Sequence, residues 1–140
     1  MNELEAARRA EVRRWVEIAN EDLRVAYACL RLDRPAVGAA AFHCQQAAEK
    51  LMKGLLVAGG RSFRKTHDLD ELADEAGAAF PALRPKLDVC RPFTRWGTIL
   101  RYPEIGDDAL VGPTAAEVAT AFPVVEALAA AIAALGAGRR

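Results

Sequence analysis

Residues 40–57 read AAFHCQQAAEKLMKGLLV, and the spacing of their apolar side chains decides the fold. Cys44, Ala47, Ala48, Leu51, Met52, Leu55 and Leu56 fall on one arc at the 3.6-residue period of an amphipathic helix, until Gly59-Gly60 stops it. With Ala48 at the centre of that arc, a rotation of about 100° per residue puts His43, Gln46, Lys50 and Lys53 together on the opposite side. The stripe reads either as a solvated face, with Glu49 and Lys53 paired one turn apart, or as a docking surface. Phe42 and Val57 favour docking, since they share that side and an exposed apolar patch is unusual unless something covers it.

Upstream, Val12, Trp15, Val16, Ala19, Leu23, Ala26 and Leu30 repeat the same period, so a first helix runs from about Leu4 to Leu32. Asp33-Arg34-Pro35 breaks it, which sets the two helices antiparallel across a short turn. Downstream, the basic loop from Arg61 to Thr66 leads to a third helix opened by Thr66 and Asp68, with Leu69, Leu72, Ala73 and Ala76 inward and an end near Gly77. Leu83 to about Thr98 reads as a broken helix, because Pro85 and Pro92 interrupt the spacing of Leu87, Cys90 and Phe93. Residues 101–113, RYPEIGDDALVGP, are loop by composition. Thr114 and Glu117 form a capping box for a last helix, which Pro123 should kink.

The expected architecture is therefore all-α, an antiparallel up-and-down bundle of four to five helices in a single domain over residues 4–136, with 137–140 a disordered tail. The 52% hydrophobic fraction with only 6% aromatics suits helices. At 140 residues one core is the default.

Acidic and basic residues both total 19, so net charge implies no uniformly basic surface and any nucleic-acid site must be local. Lys50, Lys53, Lys65 and Lys86 are the lysines; arginine makes up the rest, which codon usage explains as readily as anion binding. Cys29, Cys44 and Cys90 lack CxxC spacing, and the first two sit on helices as small buried hydrophobes would, which fits a reducing cytoplasm. The N-terminus is too charged for a signal peptide, and no apolar run approaches the roughly 20 residues that span a bilayer. No membrane association is expected.

Several residues invite chemistry. Arg61, Arg64 and Lys65 stand just before a helix N-terminus, where free N–H groups and the helix dipole favour a phosphate. The plainer reading is an ordinary helix stop with His67 a first-turn residue. His43 and His67 are the only histidines, and they could serve as acid and base only if they meet in space. Asp22 lies within the apolar arc of the first helix, where an unpaired carboxylate is costly, so a basic partner is expected. His43-Cys44 has no second half to complete a zinc site, and neither GxxxxGK[ST] nor GxGxxG occurs. No metal or cofactor is expected.

The blocks WVEIANEDLRVA (15–26), AAFHCQQAAEKLMKGLLV (40–57), KTHDLDEL (65–72) and RYPE (101–104) resemble the HEPN family, the "higher eukaryotes and prokaryotes nucleotide-binding" domain. The resemblance covers roughly residues 11–135. Gln45, Gln46, Glu49, Lys50 and Lys53, followed by Thr66, His67, Asp68 and Leu69, are its most specific part. It implies a helical bundle, often a homodimer, frequently found with a minimal nucleotidyltransferase in a bacterial toxin-antitoxin-like pair. In toxin-like members it implies a ribonuclease that uses an Arg and a His four to six residues apart near the start of the last core helix. This chain departs there: RWGTILRYPEIGDD offers Arg95, Arg101 and Tyr102, and no histidine follows His67. Arg61 and His67 have the spacing but lie in the earlier loop.

The resulting expectation is a dimerising nucleotide- or RNA-binding module without the usual ribonuclease motif. Its ligand-binding candidates are Lys50, Lys53, Arg61, Arg64, Lys65, Thr66, His67, Arg101 and Tyr102. The alternatives are a metal-independent ribonuclease using His67 with Arg61, Arg95 or Arg101, and a bundle that only holds another protein.

Overall fold

In the computed structural model, which describes residues 1–99 and 112–138, helix α1 (Glu3–Leu30) opens on Asn2, whose side chain accepts the Glu5 amide at 2.8 Å. It buries Val12, Val16, Ala19, Asp22, Leu23 and Ala26, the arc that the periodicity predicts plus the carboxylate lying on it. Helix α2 (Val37–Ala58) follows a short turn. A Cβ at Gly54 would meet the Cβ of Trp15, the Arg8 guanidinium lies against Gly60, and Asp22 reaches Lys50 and His43, so residue numbers rise on one helix as they fall on the other. That register is antiparallel.

The stop of α2 has a physical form. Gly60 takes φ 68°, a left-handed conformation that a side chain disfavours. Its amide reaches Val57 O at 2.9 Å while the Arg61 amide reaches Leu56 O at 2.9 Å, satisfying the last carbonyls of the helix. Helix α3 (Leu69–Ala79) starts on Asp68, which accepts the Asp70 amide at 2.9 Å, and buries Leu69, Leu72, Ala73, Ala76 and Gly77. The expected broken helix is four pieces: a 3-10 turn at Pro81–Leu83, α4 (Arg84–Cys90), a 3-10 stretch at Arg91–Arg95 and α5 (Trp96–Ile99). Pro85 and Pro92 each stand in the first turn of a new piece, where a missing N–H costs nothing.

Helix α6 (Ala115–Gly136) is capped by Thr114, whose hydroxyl oxygen accepts the Glu117 amide at 3.1 Å, and it continues through Pro123. It runs antiparallel to α1, with the Tyr27 and Phe122 rings edge to face at 6.0 Å and Arg13 donating to Gly136 O at 3.1 Å. One apolar cluster joins α1, α2, α3, α4 and α6, and no strand occurs among the described residues.

One expectation needs correcting. Helix α6 is long and apolar enough to cross a membrane, with a mean hydropathy of 2.0. Alanine carries much of this hydropathy. In the fold Val118, Phe122, Val125, Leu128 and Ile132 are buried in the protein core, and Val124 and Leu135 pack against it partly buried. The tail begins with Ala137 capping α6 and Gly138 at φ 80°; residues 139–140, and residues 101–111 of the loop expected at 101–113, with Arg101 and Tyr102, lie outside the described residues.

Candidate functional site

The polar side of α2 is not a solvated face. His43, Gln46, Lys50 and Lys53 are all partly buried, with Asp22 of α1 against His43 and Lys50 and Phe63 of the 59–68 loop beside Lys53. They are organised around two carboxylates. Asp22, 8% exposed, receives Lys50 Nζ on one oxygen and faces His43 Nδ1 at 2.9 Å with the other. Lys50 is the basic partner that burial of Asp22 demands, and His43 adds a second hydrogen bond.

The second centre is Glu49, 4% exposed on α2. Its Oε1 accepts from Gln45 Nε2 at 3.3 Å and stands 2.8 Å from His67 Nδ1, while Oε2 accepts from Lys53 Nζ at 3.2 Å. Gln45, itself buried, accepts Gln46 Nε2 at 2.8 Å, and its amide lies against Gly97, where a Cβ would come within 3.0 Å of Oε1. Among the described residues no buried side-chain nitrogen or oxygen lacks a partner. The expected Glu49–Lys53 pair is present, and His67 joins it from a loop 18 residues away.

The His67 side chain is 63% exposed although its Nδ1 is held from below. A carboxylate can only accept, so the neutral ring carries its proton on Nδ1 and turns an Nε2 lone pair toward solvent. His67 is thus an oriented surface imidazole. His43 and His67 answer to different carboxylates, and no hydrogen bond joins Arg61 to His67 among the described contacts.

The remaining loop candidates divide sharply. Arg64 grips Glu71 in a two-pronged pair at 2.6 and 2.8 Å, which raises the Arg64 pKa and lowers that of Glu71. Thr66 accepts the Asp68 amide at 3.1 Å, and Asp68 in turn caps α3. With Asp68, Asp70 and Glu71 at its own start, α3 supplies its own anions there, which favours the plainer of the two readings of that N-terminus over a bound phosphate. Arg61 and Lys65 are exposed, with no ion pair to a described residue; the same holds for Arg95. Among the described residues no group of three His, Cys, Asp or Glu side chains is placed to hold a metal ion.

The buried Gln45–Glu49 step on α2, reached by a histidine from the Thr-His-Asp loop, ties together the two most specific blocks of the sequence. The family model for the HEPN domain matches residues 12–134. The chain belongs to the HEPN family. No curated protein and no solved structure matches it. In this HEPN domain the family block is a packing unit as well as a surface: Gln45 and Glu49 are buried, Gln46 and Lys53 are partly buried, and His67 is the exposed member of the network. Reasoning from sequence paired Glu49 with Lys53 but missed its bond to His67, for which no local spacing gives a signal. The polar Gln45 and Glu49, one turn apart beside the apolar arc, were the available hint.

Proposed function

We propose that this HEPN chain is a nucleotide- or RNA-binding module that pairs with a second copy of itself and with a minimal nucleotidyltransferase, as in toxin-antitoxin systems, and binds without cleaving. The coarser part, membership of a nucleotide- and RNA-related family, follows from the match over residues 12–134. The observation that carries the rest is His67: an imidazole fixed by a buried carboxylate yet open to solvent, in the loop that also holds Arg61 and Lys65. Such a ring donates to phosphate when protonated and accepts from a base or ribose hydroxyl when neutral. Self-pairing is supported by Ile18 and Val25, exposed at 45 and 39% and seven residues apart on α1, with Leu32, 55% exposed, just past the end of the helix. Its three cysteines are free, which supports a cytoplasmic setting.

The ribonuclease reading draws on the same His67–Glu49 pair. Nε2 can take the proton of a ribose 2′-hydroxyl as its oxygen attacks the neighbouring phosphorus, but the departing 5′-oxygen needs a proton from a second group. His43, the other histidine, is committed to Asp22, so binding is the better supported outcome.

Light scattering of the purified chain, with fluorescence anisotropy of labelled RNA and ATP and a cleavage gel on the same samples, tests both. Dimer mass and saturable binding with intact RNA is the expected result. A monomer that binds neither ligand nor a co-expressed nucleotidyltransferase overturns the proposal; metal-free cleavage lost in His67→Ala installs the ribonuclease instead.

A further inference from the structure

The arginines of this chain fall into two groups. Arg9 pairs with Glu5 at 2.6 Å, Arg13 donates to Gly136 O, Arg64 grips Glu71, and Arg91 holds Asp70, Asp74 and Asp88 together. Arg8, Arg14 and Arg61, like Arg24, Arg34 and Arg95, have no ion pair with any described residue, but these first three line one hollow of about 610 Å³ between α1 and the start of the 59–68 loop.

We infer that this hollow binds closely spaced phosphates, with Arg8, Arg14 and Arg61 as their ligands. Three arginines line this hollow against a single carboxylate, that of Glu11, and an anion carrying several charges would balance the excess positive charge. Each guanidinium presents a planar fork that matches two phosphate oxygens. The backbone has made room for one of them: Arg8 Nη2 lies 3.2 Å from where a Cβ at Gly60 would stand, so the left-handed glycine that ends α2 also seats Arg8. Glu11 is the one acidic side chain lining the hollow. Phe63, on the wall, is held edge-on by Trp15 with ring centroids 6.1 Å apart, and gives an apolar surface for a ribose or base beside the phosphates.

The site lies at the Gly60–Phe63 end of the loop whose other end carries His67, and it involves Arg8 and Arg14 from α1, which no sequence motif links to Arg61. It rests on the nucleotide-binding reading for the source of its phosphates, either a free nucleoside triphosphate or the backbone of RNA.

Three probes separate these claims: inorganic tripolyphosphate, ATP and a labelled single-stranded RNA, each titrated onto the full chain by anisotropy or by competition at two salt concentrations. The variants are Arg14→Ala, Arg61→Ala and the pair, both side chains being exposed and outside the core; thermal melting confirms that they fold. Tripolyphosphate is expected to bind the parent and to lose about tenfold or more with the pair. If RNA is the source, the slope of log affinity against log salt should fall by about 0.7 for each arginine removed; if a free nucleotide is, ATP should outcompete RNA. Failure of tripolyphosphate to bind, or equal binding by the pair variant, overturns the site. RNA or ATP binding that survives the pair but is lost in His67→Ala leaves the functional proposal standing and the site refuted, whereas tripolyphosphate binding without RNA or ATP binding does the reverse.

Discussion

Glu49, buried in the middle of α2, holds Nδ1 of His67 at 2.8 Å and so fixes the orientation of a ring that is itself 63% exposed. The carboxylate is anchored by Lys53 and Gln45, so the orientation of the imidazole depends on α2 more than on its own loop.

Removing that anchor should free the ring before it unfolds the protein. In Glu49→Ala the Nδ1 proton of His67 loses its acceptor, and its nitrogen signals in NMR should move to those of a free imidazole exchanging between tautomers. Stability should fall by about 2–4 kcal/mol, because Lys53 is left half-buried without its partner. Unchanged His67 nitrogen shifts in the variant would show that Glu49 does not set the tautomer.

The Asp22 centre acts on stability. Asp22→Ala leaves Lys50 without a counter-charge and His43 Nδ1 without its partner, and should cost about 2–3 kcal/mol, read as a lower urea midpoint. Lys50→Met made in the Asp22→Ala background should recover part of the loss, since the uncompensated charge is then gone. Strict additivity of the two substitutions would sink the idea that they act as a pair.

Gly54→Ala sets two effects against each other. Alanine favours a helix interior by about 1 kcal/mol over glycine. The new Cβ, however, would lie 2.9 Å from the Cβ of Trp15, which is close to the α1 backbone and cannot swing away. Overpacking of this kind costs about 1–3 kcal/mol, so net destabilisation is expected in a thermal melt. A raised melting temperature would mean that α1 and α2 separate more easily than their register suggests.

Burial pushes the thiols of Cys44 and Cys90 up to about 12 from 9.0, with Cys90 adding to the effect on Cys44. The folded protein keeps these protons between about pH 9 and 12, where an unfolded chain releases them. Their contribution is therefore whole below pH 9 and is lost as pH rises through that window. Urea midpoints should fall from pH 8 to pH 10 more steeply for the parent than for Cys44→Ala/Cys90→Ala. In the native parent at pH 8, a thiol reagent should label Cys29 first, because it alone is partly exposed.

The exposed Arg64–Glu71 fork behaves oppositely. Arg64 lowers the Glu71 pKa, so the contribution of this pair is present above the ordinary carboxylate range and is lost as pH falls through the folded value.

By itself the sequence determined the bundle: the apolar arcs of α1 and α2, the glycine stop at Gly59-Gly60, the Asp68 and Thr114 caps, the proline breaks, and the need of Asp22 for a cation. These are local effects of periodicity and backbone chemistry, which a linear chain displays. It also carried the family blocks, and hence the HEPN assignment. Only the tertiary structure decided which charges are already neutralised. Lys50, Lys53 and Arg64, equivalent to Arg61 and Lys65 as letters, are bound to Asp22, Glu49 and Glu71. Arg8 and Arg14, unremarkable on α1, meet Arg61 in one hollow because antiparallel packing brings the beginning of α1 to the end of α2. Pairing between charges far apart in sequence depends on where helices cross, and that is set by the core rather than by the charges themselves.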